Sequence, residues 1–508
     1  MPLFSIRREG DWGIGDIGSL APFAKWVRSA GQQVVQILPV FELPSGETSP
    51  YGALSAFAID PIYIEVERIP GVDAALIANA LGTLGANELG QLRKGKTVDY
   101  PAIRRLKSRI LVMAYEQFIA HQRGRSNESD RELARALASF IAGEPSWLEI
   151  YSTFRELRNQ NEESPWWEWP HDTRVPTHQL LAQVQGSSTG PMFHVWTQWV
   201  LHEQWQAMRT ELRALGVELM GDLPFVVTRD SADVWGNQAE FLPFHSLGVP
   251  PDDFSADGQD WGLPPFSMEA MRANDFSWLR ARTRRMAQLF DSFRADHVVG
   301  YFRQWIRETQ GAGRRYFDIE GDDVQRARGR RILEVFIQEA GLPAIIAEDL
   351  GVIPPYVRHT MAELGVPGYR VLPWERDNGQ YRNPQQFSEC SVVTWSTHDT
   401  APITAWWNQF EPWERERLSA MMGVGAEMQP RERDFILLRW LYNARSALAL
   451  TLIQELLGDT SRINLPGSVG SHNWTYRMPQ TLEALSRDSA ISERLEAIRR
   501  SVSASGRV

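Results

Sequence analysis

Cysteine is nearly absent from this sequence, whose 508 residues include only Cys390. No intrachain disulfide can form, so the cysteine content gives no sign of an oxidising compartment. The sequence also lacks an apolar run long enough to span a bilayer, and its N-terminus lacks the apolar segment of a signal peptide. We therefore expect a cytoplasmic protein.

Positive charge is also in short supply. Lys and Arg number 53 against 63 Asp and Glu, which gives a formal net charge of −10. Nucleic acids and anionic membrane surfaces attract basic patches, so this balance disfavours both as partners. The sequence has no Gly-rich phosphate loop of the required spacing and no tandem repeat. We expect no organic cofactor, and no obligate protein partner is evident.

What the sequence does contain is an alternation of short apolar runs and helical patterns. Continuous apolar runs of this length are typical of parallel strands buried on both faces. Because helical patterns separate them, we predict an α/β fold, a (β/α)8 TIM barrel with helical and loop insertions. The strand-like runs are 34–40, 217–220, 344–347 and 391–395, and the helical patterns include 196–214 and 327–340.

Two segments interrupt this alternation. Residues 66–190 form a mainly helical insertion subdomain in our prediction. Residues 236–275 are rich in Gly, Pro, Asp and aromatic residues, and long loops inside compact domains are usually functional. We predict that this second segment covers an active site and that residues 1–508 form a single catalytic barrel. The helices predicted in the first segment are 74–82, 100–122, 129–142 and 147–161.

Acidic residues follow four of the predicted strands. Asp222, Glu348 and Asp399 each follow one of these strand-like runs, and His398 precedes the last of them. Asp296 lies at the end of a further predicted strand, SFRAD (292–296). In a barrel of parallel strands all the strand C-termini open on one face, and active sites form there. These side chains are therefore expected to converge, although they are far apart in the sequence.

Converging carboxyl groups suit one kind of chemistry in particular. Their mutual repulsion raises some pKa values, which leaves a protonated acid beside an ionised neighbour. Glycosidic bond cleavage uses such a pair, because one carboxylate attacks the anomeric carbon while a carboxylic acid protonates the leaving oxygen. Arg294 lies two residues before Asp296, so both point to the same face of a strand, where the guanidinium would keep Asp296 ionised.

Two other interpretations of these acids remain open from the residues alone. Acidic residues after strands often cap the following helix. His398, Asp399, Asp222 and Glu348 are also metal-ligand types, and their spacing does not exclude a divalent-metal site.

The motifs around these residues resemble those of the amylomaltase family, 4-α-glucanotransferases of the α-amylase superfamily. RADH, AEDLG and STHDT are similar to the three catalytic motifs of the family, and GDLPF resembles its version of the first superfamily motif. The similarity runs from end to end of the chain. The supporting segments are 5–26, 49–64, 221–225, 250–266, 294–297, 347–351, 396–400 and 463–477.

The resemblance implies a function and a role for each matching residue. The enzyme would transfer α-1,4-glucan segments from a maltooligosaccharide donor to the 4-hydroxyl of an acceptor glucan or glucose, with retention, and would need no metal. Asp296 would be the nucleophile, Glu348 the general acid/base, and Asp399 would bind and strain the donor sugar. The residues expected to bind substrate or hold these groups are Tyr51, Asp222, Gln259, Trp261, Arg294, His297, His398 and Asn464.

The sequence also departs from the family pattern. Val298 and Val299 stand where the family commonly has Phe and Arg, and Phe266 stands where Tyr is usual. The stretch 307–317 does not match the Pro- and Gly-rich run expected there. These differences leave acceptor preference and product size open.

Three alternative functions remain at this stage. A hydrolase of the same superfamily would use water as acceptor, and products from maltotriose would separate it from a transferase. A non-catalytic glucan-binding barrel is disfavoured because every expected catalytic residue is present. A metal-dependent barrel enzyme would lose activity in the presence of chelators.

Overall fold

The fold is taken from a computed structural model of the chain. It describes residues 1–124, 128–187, 189–251, 257–309, 313–425, 428–468, 470 and 472–507. The predicted covering segment 236–275 and the divergent stretch 307–317 each fall partly outside these residues, at 252–256 and at 310–312.

The centre of the fold is a curled, seven-stranded parallel sheet. Its strands follow one another in chain order, each paired with the next, as the alternation of strands and helices in the sequence predicts. The predicted α/β barrel architecture is confirmed, with seven of its strands assigned in the described residues. The strands are β1 (Val34–Gln36), β2 (Glu218–Leu223), β3 (Ser292–Ala295), β4 (Ile345–Ala347), β5 (Gly368–Val371), β6 (Ser391–Thr394) and β7 (Leu448–Leu450).

Helices connect these strands across the outside of the sheet. Two of them agree with the helical patterns seen in the sequence, since Gly190–Ala214 leads into β2 and Asp322–Ala340 leads towards β4. The crossover helices bury apolar side chains against the sheet, which is why the strands read as continuous apolar runs. The other helices outside the 66–190 segment are Ile17–Ser29, Ala232–Gly236, Met268–Ala273, Ser277–Leu289, Val299–Phe302, Pro355–Leu364, Ile403–Gln409, Pro412–Met422, Pro430–Tyr442, Ile453–Leu457, Leu482–Arg487 and Ser489–Ala504.

Residues 66–190 are helical in the described part of that segment. The longest helices, Ala74–Lys94 and Tyr100–Gly124, pack against each other. Lys107, in the second of these helices, donates from Nζ to the backbone oxygens of Ile62 and Ile64, each at 2.7 Å. These bonds join the helical segment to the chain that follows β1. The remaining helices are Glu128–Gly143, Pro145–Gln160 and His178–Ser187.

A small antiparallel sheet lies beside the barrel mouth. Its central strand, His245–Val249, pairs on one side with Gln259–Asp260 and on the other with Trp305–Glu308. The strand Arg315–Phe317 completes it. Part of the segment predicted as a loop is therefore sheet, which provides a rigid support for side chains at the mouth.

Large aromatic side chains fill much of the interior. Trp205, for example, is fully buried and donates its indole N–H to the backbone oxygen of Leu289 at 2.8 Å. Such tryptophans are packing residues and carry no chemistry. In the described ranges, none of the helices has the length and apolar character needed to cross a bilayer.

Candidate active site

The predicted site residues meet at the C-terminal ends of the parallel strands. Asp222 lies within β2, Asp296 directly follows β3, and Glu348 directly follows β4. They surround an open cleft of about 1360 Å³. Ten of the eleven predicted residues line this cleft, namely Tyr51, Gln259, Trp261, Arg294, Asp296, His297, Glu348, His398, Asp399 and Asn464. Asp222 is fully buried beneath them.

Arg294 is the centre of the carboxylate cluster. Its Nη1 donates to Asp222 Oδ1 at 2.9 Å and lies 2.7 Å from Asp296 Oδ1. Its Nη2 lies 3.9 Å from Glu348 Oε2. The alternation of side chains along β3 places Arg294 and Asp296 on one face, as predicted. One guanidinium therefore contacts three carboxyl groups and balances part of their charge.

Glu348 is buried and held by two backbone donors. The N–H of His297 donates to its Oε2 at 2.8 Å, and the N–H of Leu350 donates to its Oε1 at 2.9 Å. Burial raises the pKa of Glu348 to about 7, against the opposing effect of Arg294. A carboxyl group with this pKa can release and recover a proton near neutral pH, which a general acid/base requires.

Asp399 has the opposite electrostatic environment. It accepts a hydrogen bond from Asn464 Nδ2 at 2.7 Å, and its Oδ2 lies 3.3 Å from His398 Nε2. Burial disfavours the charged form, but His398 and these hydrogen bonds outweigh it and hold the pKa of Asp399 well below its usual range. Asp399 is therefore an ionised acceptor for hydroxyl groups in the cleft.

Tyr51 connects the two halves of the cluster. Its hydroxyl donates to Asp222 Oδ2 at 2.8 Å and lies 3.1 Å from His398 Nε2. Its ring is stacked on the His398 ring, with centroids 5.4 Å apart. Burial raises the pKa of Asp222, although Arg294 and Tyr51 oppose this. Asp222 thus supports the groups above it from the interior of the barrel.

Gln259 and Trp261 lie in and directly after a strand of the antiparallel sheet, and they meet His297 across the cleft. Trp261 donates its indole N–H to Gln259 Oε1 at 3.0 Å, and its ring meets His297 edge-on with centroids 4.8 Å apart. Burial lowers the pKa of His297 to about 4, so this imidazole is neutral at pH 7. His297 has a left-handed backbone with φ of 47°, an uncommon conformation for a residue other than Gly. That conformation accompanies the turn in which its N–H reaches Glu348.

Several cleft residues were not predicted from the sequence. Trp474 packs against Tyr51 and His398, with ring centroids 5.9 and 5.8 Å away. In the sequence, only the position of Trp474 within the 463–477 motif indicated that it could lie in the cleft. Trp305 and Phe317 also line the cleft, with their rings 4.8 Å apart. They come from paired strands of the antiparallel sheet, a pairing that the sequence did not indicate.

The carboxylate cluster differs from a metal centre. Among the described residues, no group of three or more His, Cys, Asp or Glu side chains is arranged to hold a metal ion. Arg294 provides positive charge between the carboxylates. We keep the absence of a metal as a prediction.

An α/β barrel with a carboxyl pair, one of which titrates near neutrality, in an aromatic-lined cleft is the architecture of enzymes that cleave glycosidic bonds. The profile of the family described as 4-α-glucanotransferase matches residues 1–482. The chain belongs to this 4-α-glucanotransferase family. It is an enzyme of the transferase type, and the hydrolase alternative is disfavoured.

Individual relatives agree with this assignment. The chain is 29% identical to a 4-α-glucanotransferase of Chlamydia trachomatis, over 98% of this chain and 94% of that protein. It is also 29% identical to the 4-α-glucanotransferase of Thermus thermophilus, over 92% of each chain. The amylomaltase of Streptococcus agalactiae, solved in complex with acarbose, has the same fold, with a TM-score of 0.83, 24% identity and coverage of 100% of this chain and 98% of that one.

Proposed function

We propose that this protein transfers α-1,4-glucan segments to the 4-hydroxyl of an acceptor glucan or glucose by a retaining double displacement. The observation that carries this proposal is the contrast around Arg294. Its guanidinium lies 2.7 Å from Asp296 but 3.9 Å from Glu348. Burial raises the pKa of Glu348 to about 7. Asp296 is paired with the Arg294 guanidinium, which suits the nucleophile, and Glu348 can hold a proton near neutral pH.

In the first displacement, Asp296 attacks the anomeric carbon of the donor. The bond from that carbon to the glycosidic oxygen breaks, and Glu348 transfers its proton to the departing oxygen. The released chain leaves with a free 4-hydroxyl, and a β-glucosyl ester remains on Asp296. The hydrogen bonds from His297 and Leu350 support this role because they fix the Glu348 carboxyl group.

In the second displacement, Glu348 acts as the base. It removes the proton of the acceptor 4-hydroxyl as that oxygen attacks the anomeric carbon and expels Asp296. A new α-1,4 bond forms, and Glu348 is protonated again. Each transfer therefore consumes and returns one proton on Glu348, with no net change.

Asp399, His398 and Asn464 bind the donor sugar in this proposal. Asp399 is ionised and accepts hydrogen bonds, which suits adjacent sugar hydroxyls. Tyr51 offers a ring at the same place. Bonds to hydroxyls that strengthen as the ring flattens would lower the barrier for both displacements.

The aromatic side chains of the antiparallel sheet bind glucan units further along the chain. Trp261, Trp305 and Phe317 line the cleft, and an aromatic face is complementary to the apolar face of a sugar ring. Gln259 helps hold Trp261. We propose that segment 236–275 covers the site, since exclusion of water favours transfer to a sugar hydroxyl over hydrolysis.

We also propose that residues 1–508 work as one catalytic unit in the cytoplasm, with 66–190 as a helical subdomain. The net charge of −10 and the single cysteine support this setting and argue against nucleic acid or a membrane as partner. No metal, organic cofactor or obligate protein partner is required in this proposal.

Incubation of the purified protein with maltotriose tests the proposal. Transfer produces glucose together with a ladder of chains longer than maltotriose, and the total number of reducing ends stays constant. Hydrolysis instead produces shorter sugars and a rising number of reducing ends. The Asp296→Asn variant is the control and should produce neither. A wild-type product mixture without longer chains would contradict the proposal.

A further inference from the structure

Arg462 lies beside the donor-sugar residues, and no role for it follows from the motifs or the proposed reaction. Its Nη2 donates to the backbone oxygen of Asp399 at 2.7 Å. Its Nε donates to the backbone oxygen of Asn464 at 3.2 Å. A single guanidinium thus bonds the main chain of two residues that are 65 positions apart and whose side chains are hydrogen-bonded to each other.

We propose that Arg462 is a positioning residue for the transfer reaction, which joins the loop of Asp399 to the loop of Asn464 so that their side chains meet the donor sugar in a fixed geometry. This inference rests on the proposed function, because it assumes that Asp399 binds the donor.

The chemistry of the contacts favours orientation over charge pairing. Within the described part of the chain, Arg462 has no carboxylate at ion-pair distance, and its hydrogen bonds go to two backbone oxygens. A guanidinium presents donors in a rigid planar fork, so its two bonds fix the distance between the two carbonyl groups. A Lys ammonium is a compact charge on a flexible stem and fixes no such distance.

The position of the two loops explains why such a link is needed. Asp399 lies in the segment between the end of β6 and the helix Ile403–Gln409. Asn464 lies in the segment after the helix Ile453–Leu457. Neither residue is on a regular element, so the precision of their side chains depends on hydrogen bonds between the two segments.

The second segment is anchored on its other side as well. The backbone N–H of Trp474 donates to the backbone oxygen of Ile463 at 2.8 Å, and the Trp474 ring packs against Tyr51 and His398. Asp399 is thereby framed by Arg462 and Asn464 on one side and His398 on the other. Removal of Arg462 leaves the Asn464 to Asp399 bond without its backbone support.

The test compares Arg462→Ala, Arg462→Gln and Arg462→Lys with the wild-type protein on maltotriose. We expect kcat/KM to fall about 10- to 100-fold in each, the effect of a displacement near 1 Å at a reacting sugar. Arg445→Ala is the matched control, since Arg445 is an exposed arginine paired with Glu389. Its activity should equal that of the wild type. Assays are run well below the melting temperature of each variant, with rates expressed per folded protein.

Two further measurements separate positioning from a general effect on folding. Guanidinium chloride at low millimolar concentration should restore part of the rate of Arg462→Ala and leave the Lys and control variants unchanged. In a double-mutant cycle, Arg462→Ala should cost much less in an Asn464→Ala background than alone, because both act on Asp399.

The outcomes are distinct. If the wild type forms longer chains and the Arg462 variants, folded, keep wild-type kcat/KM, the inference is wrong while the proposed function stands. Additive losses in the cycle, or no rescue by guanidinium, would also overturn it. If the wild type forms no longer chains, the proposed function itself fails.

Discussion

The backbone N–H of His297, the residue after the proposed nucleophile, donates to Oε2 of Glu348 at 2.8 Å. The chain that carries one carboxylate therefore helps to orient the other. Asp296 and Glu348 are 52 positions apart in the sequence, and this bond links the segments that carry them. It also gives a direct way to test their different roles.

The general acid should be dispensable for a donor that needs no protonation. We expect Glu348→Gln to lower kcat on maltotriose about 10²- to 10⁴-fold, the usual contribution of general acid catalysis. With an α-glucosyl fluoride donor, formation of the covalent intermediate should be much less impaired, because fluoride leaves without a proton. Single-turnover measurement of that step checks this. An equal defect on both donors would exclude Glu348 as the acid.

The activity should depend on pH through Glu348. Burial raises its pKa to about 7, and the acid must be protonated to assist the leaving group. We therefore expect kcat/KM for maltotriose to fall as the pH rises through about 7. The raised pKa also means that the folded state favours protonated Glu348. The contribution of Glu348 to the free energy of unfolding is therefore largest at low pH and decreases as the pH rises through about 7. A pH–rate profile of the wild type, compared with that of Glu348→Gln, measures the first effect.

Trp261 should matter for substrate more than for stability. It is partly exposed in the cleft, and its ring contacts His297 and its indole N–H contacts Gln259. We expect Trp261→Ala to lower kcat/KM on longer maltooligosaccharides about 2- to 10-fold, the value of one aromatic contact. Its melting temperature should change little. Trp413→Ala, at an exposed tryptophan outside the cleft, is the control, and a steep loss of stability in Trp261→Ala would show a packing role instead.

Chelation should leave activity unchanged. Arg294 already provides a cation in contact with Asp222 and Asp296, where a divalent metal would otherwise balance their charge. We expect equal rates on maltotriose before and after dialysis against EDTA. Loss of activity that one added cation restores would contradict this.

The packing of β2 provides a stability test. A Cβ atom added at Gly221 would lie 2.5 Å from the ring of Phe290, and this glycine precedes Asp222. We expect Gly221→Ala to cost about 1–3 kcal/mol in the free energy of unfolding, as for overpacked cores. Gly90→Ala is the contrast, because that helical position has open space and the change should stabilise the protein by about 0.5–1 kcal/mol. Chemical denaturation of both variants measures these changes in the free energy of unfolding.

Much of the fold could be predicted because its strands are continuous apolar runs. The strands β5 and β7 were missed, since β5 contains Arg370 and all three residues of β7 are partly exposed. The helix predicted over 74–82 continues to Lys94, but its backbone breaks at Gly82, where φ is 57° and ψ is −172°. The sequence pattern therefore located a real break in the helix at Gly82, but we interpreted this break as the end of the helix.

The composition of the site was easier to predict than its geometry. Acidic residues at strand ends and the long motifs pointed to Asp296 and Glu348. No local pattern could show that the Tyr51 hydroxyl reaches Asp222 across 171 positions. Contacts of this kind depend on how loops fold over the barrel, which is set by packing between distant segments.

Cys390 immediately precedes β6, the strand whose opposite end leads to His398 and Asp399. Its thiol is exposed, and it is the one cysteine in the sequence. A maleimide dye would therefore attach at a single place, on the far side of the barrel from the cleft. A long glucan that binds the protein would slow its tumbling, and fluorescence anisotropy of this label would report that binding with no need to remove other thiols.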